Sequence, residues 1–122
     1  MKIYDAHSTS FDFEKEIYTP LRAMSSFEFI FAHEHGKDIL FSSKELFQKK
    51  QCDLVLAEVS MPSTGLGIEL GWANDAGIPI VCVHKDGYKT SQSLKTVTTD
   101  VIAYNGPDDL VAKLTEILNY KS

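Results

Sequence analysis

Cysteine is scarce in this chain, with two residues in 122. There is no Cys-x-x-Cys pair to suggest a redox or zinc site, and no disulfide framework can be assembled. Cys52 and Cys82 sit at or inside apolar strand patterns, where a lone thiol acts as a small hydrophobe. No apolar run reaches membrane length, and the segment Met-Lys-Ile-Tyr-Asp-Ala-His lacks the apolar core of a signal peptide, so a soluble cytoplasmic protein is expected. Basic clusters are also missing. The largest is Lys49-Lys50 in a chain of net charge −5, which argues against DNA or RNA as a polymeric partner. A small nucleotide is still compatible, because a few amides and one Lys or Ser can bind a single phosphate. Internal repeats and low-complexity segments are absent too.

What is present fits one domain spanning residues 1–122. Lys2 to Ala6 reads as a first strand and Phe27 to Phe31 as a second. Between them Phe13 to Met24 reads as a helix on the spacing of Phe13, Ile17 and Leu21, with Pro20 as a kink or stop. Ser43 to Lys50 reads as a second helix and Cys52 to Val59 as a central strand. Gly65 to Ala76 forms a third helix, ended by Gly77, and Ile78 to Val83 a fourth strand. His84 to Thr99 is a polar loop with a short helix near Ser91 to Val97. Val101 to Tyr104 is a fifth strand, and Pro107 to Tyr120 a closing helix with Leu110, Val111, Leu114, Ile117 and Leu118 along one face. Strands alternating with helices imply parallel βαβ units. The expected fold is a three-layer, doubly wound, flavodoxin/Rossmann-like α/β sandwich with a five-stranded parallel sheet in the order 2-1-3-4-5.

Chemistry in such sheets collects beyond the carboxyl ends of the strands. There the stretch Cys52 to Trp72 concentrates the informative residues. Leu54-Val55-Leu56-Ala57 is a strand covered on both faces, Pro62 stops it, and Ser63 or Thr64 can cap the next helix. Gly65 and Gly67 let a ligand approach the backbone. Glu69 follows in the first turns of that helix, where the helix dipole favours a charged carboxylate, a candidate nucleophile. The competing reading is a solvated helix glutamate. On the third helix, Leu66, Leu70 and Ala73 can face the sheet while Ile68 and Trp72 form a second apolar stripe; either another subunit or the chain's own loops could cover it.

The string Asp53-Leu-Val-Leu-Ala-Glu58-Val-Ser60-x-Pro62-Ser63-x-Gly65-x-Gly67-x-Glu69-Leu70-Gly71-x-Ala73, followed by Gly77-Ile-Pro79-Ile-Val81, resembles the nucleoside 2-deoxyribosyltransferase family, closest to its 2′-deoxynucleoside 5′-phosphate N-hydrolase branch. The match is dense over about thirty residues and thinner elsewhere. The resemblance implies an enzyme that cleaves or exchanges the N-glycosidic bond of a nucleoside or nucleoside 5′-monophosphate, hydrolysis favoured over transfer. Glu69 would be the nucleophile that forms a covalent glycosyl-enzyme. Eight residues before Asp53, Glu45 matches an aspartate that handles the leaving base, with a longer arm. Glu58 matches an acidic residue that hydrogen-bonds within the site. Tyr4 matches a tyrosine that contacts the nucleophile or sugar. Ser63 caps the helix or binds substrate, and Ser93 matches a serine lent to the adjoining subunit's phosphate pocket, which implies a homodimer or higher homo-oligomer.

The chain departs from the family after the first strand. Relatives carry a Gly-containing loop there, and the nucleotide hydrolases add an arginine; here the residues are Asp5-Ala6-His7-Ser8-Thr9-Ser10. Ser8, Thr9 and Ser10 could still hold a phosphate, and His7 could be an acid, a base or a phosphate partner. His33-x-His35 has a fragment of metal-ligand spacing, yet no third ligand is evident, so neither a metal nor a cofactor is expected. His84 follows the fourth strand and could edge the pocket. A non-catalytic nucleotide-binding module on the same fold is the alternative.

Overall fold

The computed structural model describes residues 1–34 and 43–122. Five parallel strands form one sheet in the order β2-β1-β3-β4-β5, as expected. They are β1 (Lys2–His7), β2 (Glu28–Phe31), β3 (Leu54–Glu58), β4 (Ile80–Lys85) and β5 (Val101–Tyr104). The helices are α1 (Thr19–Arg22), α2 (Lys44–Gln48), α3 (Thr64–Asp75) and α4 (Gly106–Lys121), with a 3₁₀ turn over Gln92–Thr96. His35 lies outside the described residues.

Alternation along the strands sends neighbouring side chains to opposite faces. Tyr4, Ala6, Val55, Ala57, Ile80 and Cys82 pack on one side against Phe47 of α2 and Leu66, Leu70 and Ala73 of α3. Ile3, Leu54, Leu56, Val81 and Val83 pack on the other against Ile17 and Leu21 from the α1 region and Leu110, Leu114 and Leu118 of α4. Each layer buries the apolar stripe of helices that could not stand alone in water. Both cysteines are free and buried, and burial pushes their thiols up to about 11. They behave as the small hydrophobes their setting requires.

The first helix differs from its periodic reading. Glu14–Tyr18 forms a π-helical turn that runs into α1, with the Thr19 amide and hydroxyl both donating to the Glu14 carbonyl. Pro20 has no N–H to give and its ring crowds the preceding turn; a wider turn accommodates it. Ile17, Tyr18 and Leu21 still reach the core.

Ser63 is extended and its hydroxyl accepts from the Leu66 amide at 3.3 Å, capping α3. Gly77, with φ +75, ends that helix in a left-handed conformation that a side chain would resist. Of the second apolar stripe, Ile68 is 48% exposed, and Trp72 is half-buried with the Lys44 ammonium 5.8 Å from its ring.

Candidate functional site

Two structures meet at the carboxyl edge of the sheet, one on each flank of α3. On the flank toward β1 and α2, the Glu69 carboxylate is half-buried and held by hydroxyls. Tyr4 donates to Glu69 Oε2 at 2.5 Å, and Ser43 donates to the same oxygen at 2.6 Å. Tyr4 and Ser43 are each about 1% exposed. The Tyr4 ring is braced edge-on by Phe47, with centroids 5.2 Å apart and planes at 89°. Burial and the neighbouring Glu69 charge push the Tyr4 hydroxyl well above its ordinary range, so it stays a proton donor at any physiological pH.

The helix dipole is not what steadies Glu69. It is the sixth residue of α3, and the field of a helix terminus fades within the first turn. The two hydroxyls do that work instead. Ser43 was invisible as a site residue in sequence, where it reads only as the start of the second helix; it instead precedes α2. Here its side chain makes no cap hydrogen bond and turns to Glu69.

On the other flank, toward β4 and the 3₁₀ turn, a cavity of about 390 Å³ lies against the N-terminal half of α3. Ser63, Gly67 and Ser93 line it, together with Lys89 and Ser91, which sequence reading did not select. A side-chain carbon built on Gly65 or Gly67 would meet nothing within 4 Å, so the approach to both backbones is open.

The remaining predicted residues go elsewhere. Glu45 is 71% exposed and pairs with Lys49 at 2.6 Å, an i,i+4 surface bridge. Glu58 pairs in register with His7, and Tyr4 with Val55, so Glu58 and His7 share the sheet face opposite Tyr4. Glu58 is buried, accepting from the Ser60 amide at 2.6 Å, the Ser60 hydroxyl at 3.1 Å and the Tyr104 hydroxyl.

His7 is also sealed. Its Nδ1 faces the Ser8 carbonyl at 2.9 Å, an oxygen that can only accept, so Nδ1 carries the proton and Nε2 accepts from the Tyr18 hydroxyl at 2.6 Å. The ring stacks on Phe13 at 4.4 Å, and burial lowers its pKa to about 4. At pH 7 it is a neutral structural group. Ser8 is buried, its hydroxyl 2.7 Å from that of Ser10 and accepting from the Ser10 amide at 3.1 Å. His84 Nδ1 lies 3.0 Å from the Lys85 carbonyl.

Two residues before His7 on β1, and so on the same face as His7 and Glu58, lies Asp5, fully buried, with neither oxygen hydrogen-bonded. Burial, with Glu58 and Glu69 adding like charge, pushes it well above the carboxylate range and keeps it protonated. Among the described residues no group of three or more His, Cys, Asp or Glu is arranged to hold a metal, and no helix is long and apolar enough to cross a membrane.

The fold and edge geometry define a doubly wound α/β protein that presents a hydroxyl-anchored carboxylate beside an open helix N-terminus. Comparison with known proteins adds what the chain is similar to. No family model matches the chain. It is 34% identical over 64 residues to a protein of Methanococcoides burtonii named as a candidate 2′-deoxynucleoside 5′-phosphate N-hydrolase 1, covering 48% of this chain and 52% of that one. It is 42% identical over 50 residues to the 5-hydroxymethyl-dUMP N-hydrolase of Mus musculus, covering 41% of this chain and 29% of that one. The chain therefore spans about half the length of the first relative and less than a third of the second. Among solved structures, the CMP N-glycosidase BcmB of Clostridium botulinum superposes with TM-score 0.64 at 21% identity, over 94% of this chain and 99% of that one. A conserved protein from Enterococcus faecalis superposes with TM-score 0.55 at 15% identity, over 96% and 98%. The sequence matches thus resemble 5′-phosphate N-hydrolases over part of their length, and the solved structures share the fold.

Proposed function

We propose that this protein hydrolyses the N-glycosidic bond of a nucleoside or nucleoside 5′-monophosphate through a covalent glycosyl-Glu69 intermediate, with water preferred to a second base as the acceptor. The observation that carries this reading is the Glu69 carboxylate itself, half-buried at the sheet edge with Tyr4 and Ser43 fixed on one oxygen. A preorganised carboxylate beside the anomeric carbon stabilises the oxocarbenium-like transition state and then captures it. The names of the matched relatives, which act on nucleotide N-glycosidic bonds, support the same chemistry.

In this reading Ser63, Gly65, Gly67 and Ser93 receive the sugar or its 5′-phosphate at the open N-terminus of α3. Lys89, on the wall of that cavity, supplies a cation that the loop after β1 lacks. Ser93 acts within its own subunit or across a homodimer. Glu45 is the weakest assignment, since its carboxylate already serves a surface ion pair. A cytoplasmic setting suits a nucleotide substrate.

The second reading is a nucleotide-binding module without turnover. It draws on the internally paired Ser8 and Ser10 hydroxyls and on the exposure of Glu45. Base release measured by chromatography on a panel of ribo- and deoxyribonucleosides and their 5′-monophosphates, with and without a second free base, separates the readings. Hydrolysis predicts release without the second base, and dependence on that base indicates transfer. Binding with no release from any panel member would favour the module.

A further inference from the structure

We infer that Ser43 is a positioning residue that divides the labour between the two oxygens of Glu69 and governs the second half of the reaction; this rests on the glycosyl-Glu69 reading. Tyr4 and Ser43 approach the carboxylate from different elements, β1 and the residue preceding α2, yet both donate to Oε2. The Tyr4 and Ser43 hydroxyls thus converge on one oxygen, each giving its single proton to it. Oε1 receives no hydrogen bond from the described residues. Two donors on one oxygen fix the carboxylate plane and leave one oxygen to react. Oε1 is the attacking atom.

The chemistry follows from that division. In the first half, Oε1 gives an electron pair to the anomeric carbon as the carbon–nitrogen bond breaks. The pair from that bond leaves with the base, whose nitrogen takes a proton from solvent. Oε2 becomes the carbonyl oxygen of the resulting ester. In the second half, water attacks the anomeric carbon, the carbon–Oε1 bond breaks with its pair returning to Glu69, and the proton of the water passes to solvent. Hydrogen bonds to an ionised carboxylate are stronger than those to a neutral carbonyl. The Ser43 and Tyr4 donors therefore hold the free carboxylate more firmly than the ester, and they favour its departure. Their effect falls on breakdown of the intermediate.

Nothing in the sequence singled Ser43 out for this role, and the resemblance assigned the neighbouring Glu45 instead. Ser43 is buried and donates to the nucleophile; Glu45 is turned to solvent. The residue that acts on Glu69 from this segment is the serine.

The test compares wild type with Ser43→Ala and Ser43→Thr in rapid-quench assays of base release, on whichever panel member wild type turns over. Removing the Ser43 hydroxyl should lower kcat about tenfold. Because the intermediate now accumulates, the apparent KM should fall as well, and a burst of base approaching one equivalent per Glu69 should precede the steady state. Ser43→Thr, which keeps the hydroxyl, should stay within about threefold of wild type and show no burst. If Ser43→Ala does not fold, Ser43→Cys keeps the volume with a far weaker donor and should give the burst in its place. A fall in kcat with unchanged KM and no burst would overturn the inference, as would unchanged kinetics, while leaving Glu69 as nucleophile. If wild type releases no base from any substrate, the glycosidase reading falls and this inference with it.

Discussion

Two carboxyl clusters lie at the same edge of one sheet, and they have opposite characters. On the α3 face, Glu69 is half-buried and held by hydroxyls on a single oxygen. On the α4 face, Glu58 is enclosed by Ser60 and Tyr104, with protonated Asp5 beside it. The second cluster has the deeper burial, and in it Asp5 is pushed well above the carboxylate range. By those signs alone it would be the better candidate for chemistry. Yet every oxygen of Glu58 already has a protein partner, and Asp5 is inaccessible, so neither has an atom to offer a substrate. A perturbed group marks a functional site only when it also keeps a free atom facing space.

Substitutions that treat the clusters alike should therefore separate them. Glu69→Gln keeps the shape, and Tyr4 and Ser43 can still donate to the amide oxygen, but the nucleophile is gone. Base release should drop by about a thousandfold or more with the fold intact, as measured by initial rates and thermal melting. Glu58→Gln should do the reverse. Exchanging the carboxylate for an amide weakens charge-assisted hydrogen bonds and puts an N–H₂ against groups that donate, at a cost of about 2–4 kcal/mol in chemical denaturation. Turnover per folded molecule should stay within about threefold. A folded but inactive Glu58→Gln would give Glu58 the role in the site that the resemblance implies. Tyr4→Phe comes next, and should lower kcat by about tenfold or more while sparing the melt by comparison with Glu58→Gln.

The sheet and its order were legible because the strands obey simple rules. Leu54-Val55-Leu56-Ala57 is apolar on both faces and can only be a covered strand, and the alternation with helices fixes parallel pairing. Glu69 was singled out by the resemblance of its motif, and the structure sets it at the sheet edge against Tyr4 and Ser43. The partition of the site was not read, although a clue was present. Tyr4 and His7 are three residues apart on one strand, so period two must place them on opposite faces. His7 could not join Tyr4 in one site on a straight strand. Ser43 and Lys89 were hidden for a different reason. Each reaches its place through tertiary packing of short segments, α2 and the loop after β4, and local pattern carries no sign of where such a side chain ends up. The π turn was masked because Phe13, Ile17 and Leu21 keep a spacing of four through it.

The sealed face should also set how stability varies with pH, and two of its groups, His7 and Asp5, pull in opposite directions. His7 titrates near 6.5 when unfolded and at about 4 when folded. Between those values the unfolded chain binds more protons, so stability rises with pH there, by on the order of 3 kcal/mol in full. Asp5 has a folded pKa raised above the unfolded 3.8. As pH climbs past that value the unfolded chain loses a proton the folded chain keeps, and stability falls. Asp5→Asn removes the falling component. In urea denaturation across pH 4 to 8 it should therefore gain on wild type steadily toward the alkaline end, and a parallel offset at every pH would contradict the assignment.

The smallest effect is expected at Glu45. Glu45→Ala removes one exposed pair with Lys49, about 0.3–0.5 kcal/mol, and turnover should change by less than about threefold. A loss of a hundredfold would restore to Glu45 the leaving-group role implied by resemblance, and would mean that α2 shifts when substrate binds.

The most direct test is to trap the intermediate: incubate wild type with a 2-fluoro-2-deoxy analogue of its preferred substrate, quench in acid, and map any added sugar by peptide mass spectrometry. A nucleophilic Glu69 predicts one sugar per chain, on the segment carrying Glu69, and none in Glu69→Gln. Turnover of the natural substrate that gives a product sugar of inverted anomeric configuration, or an adduct mapped to Glu58, would contradict it.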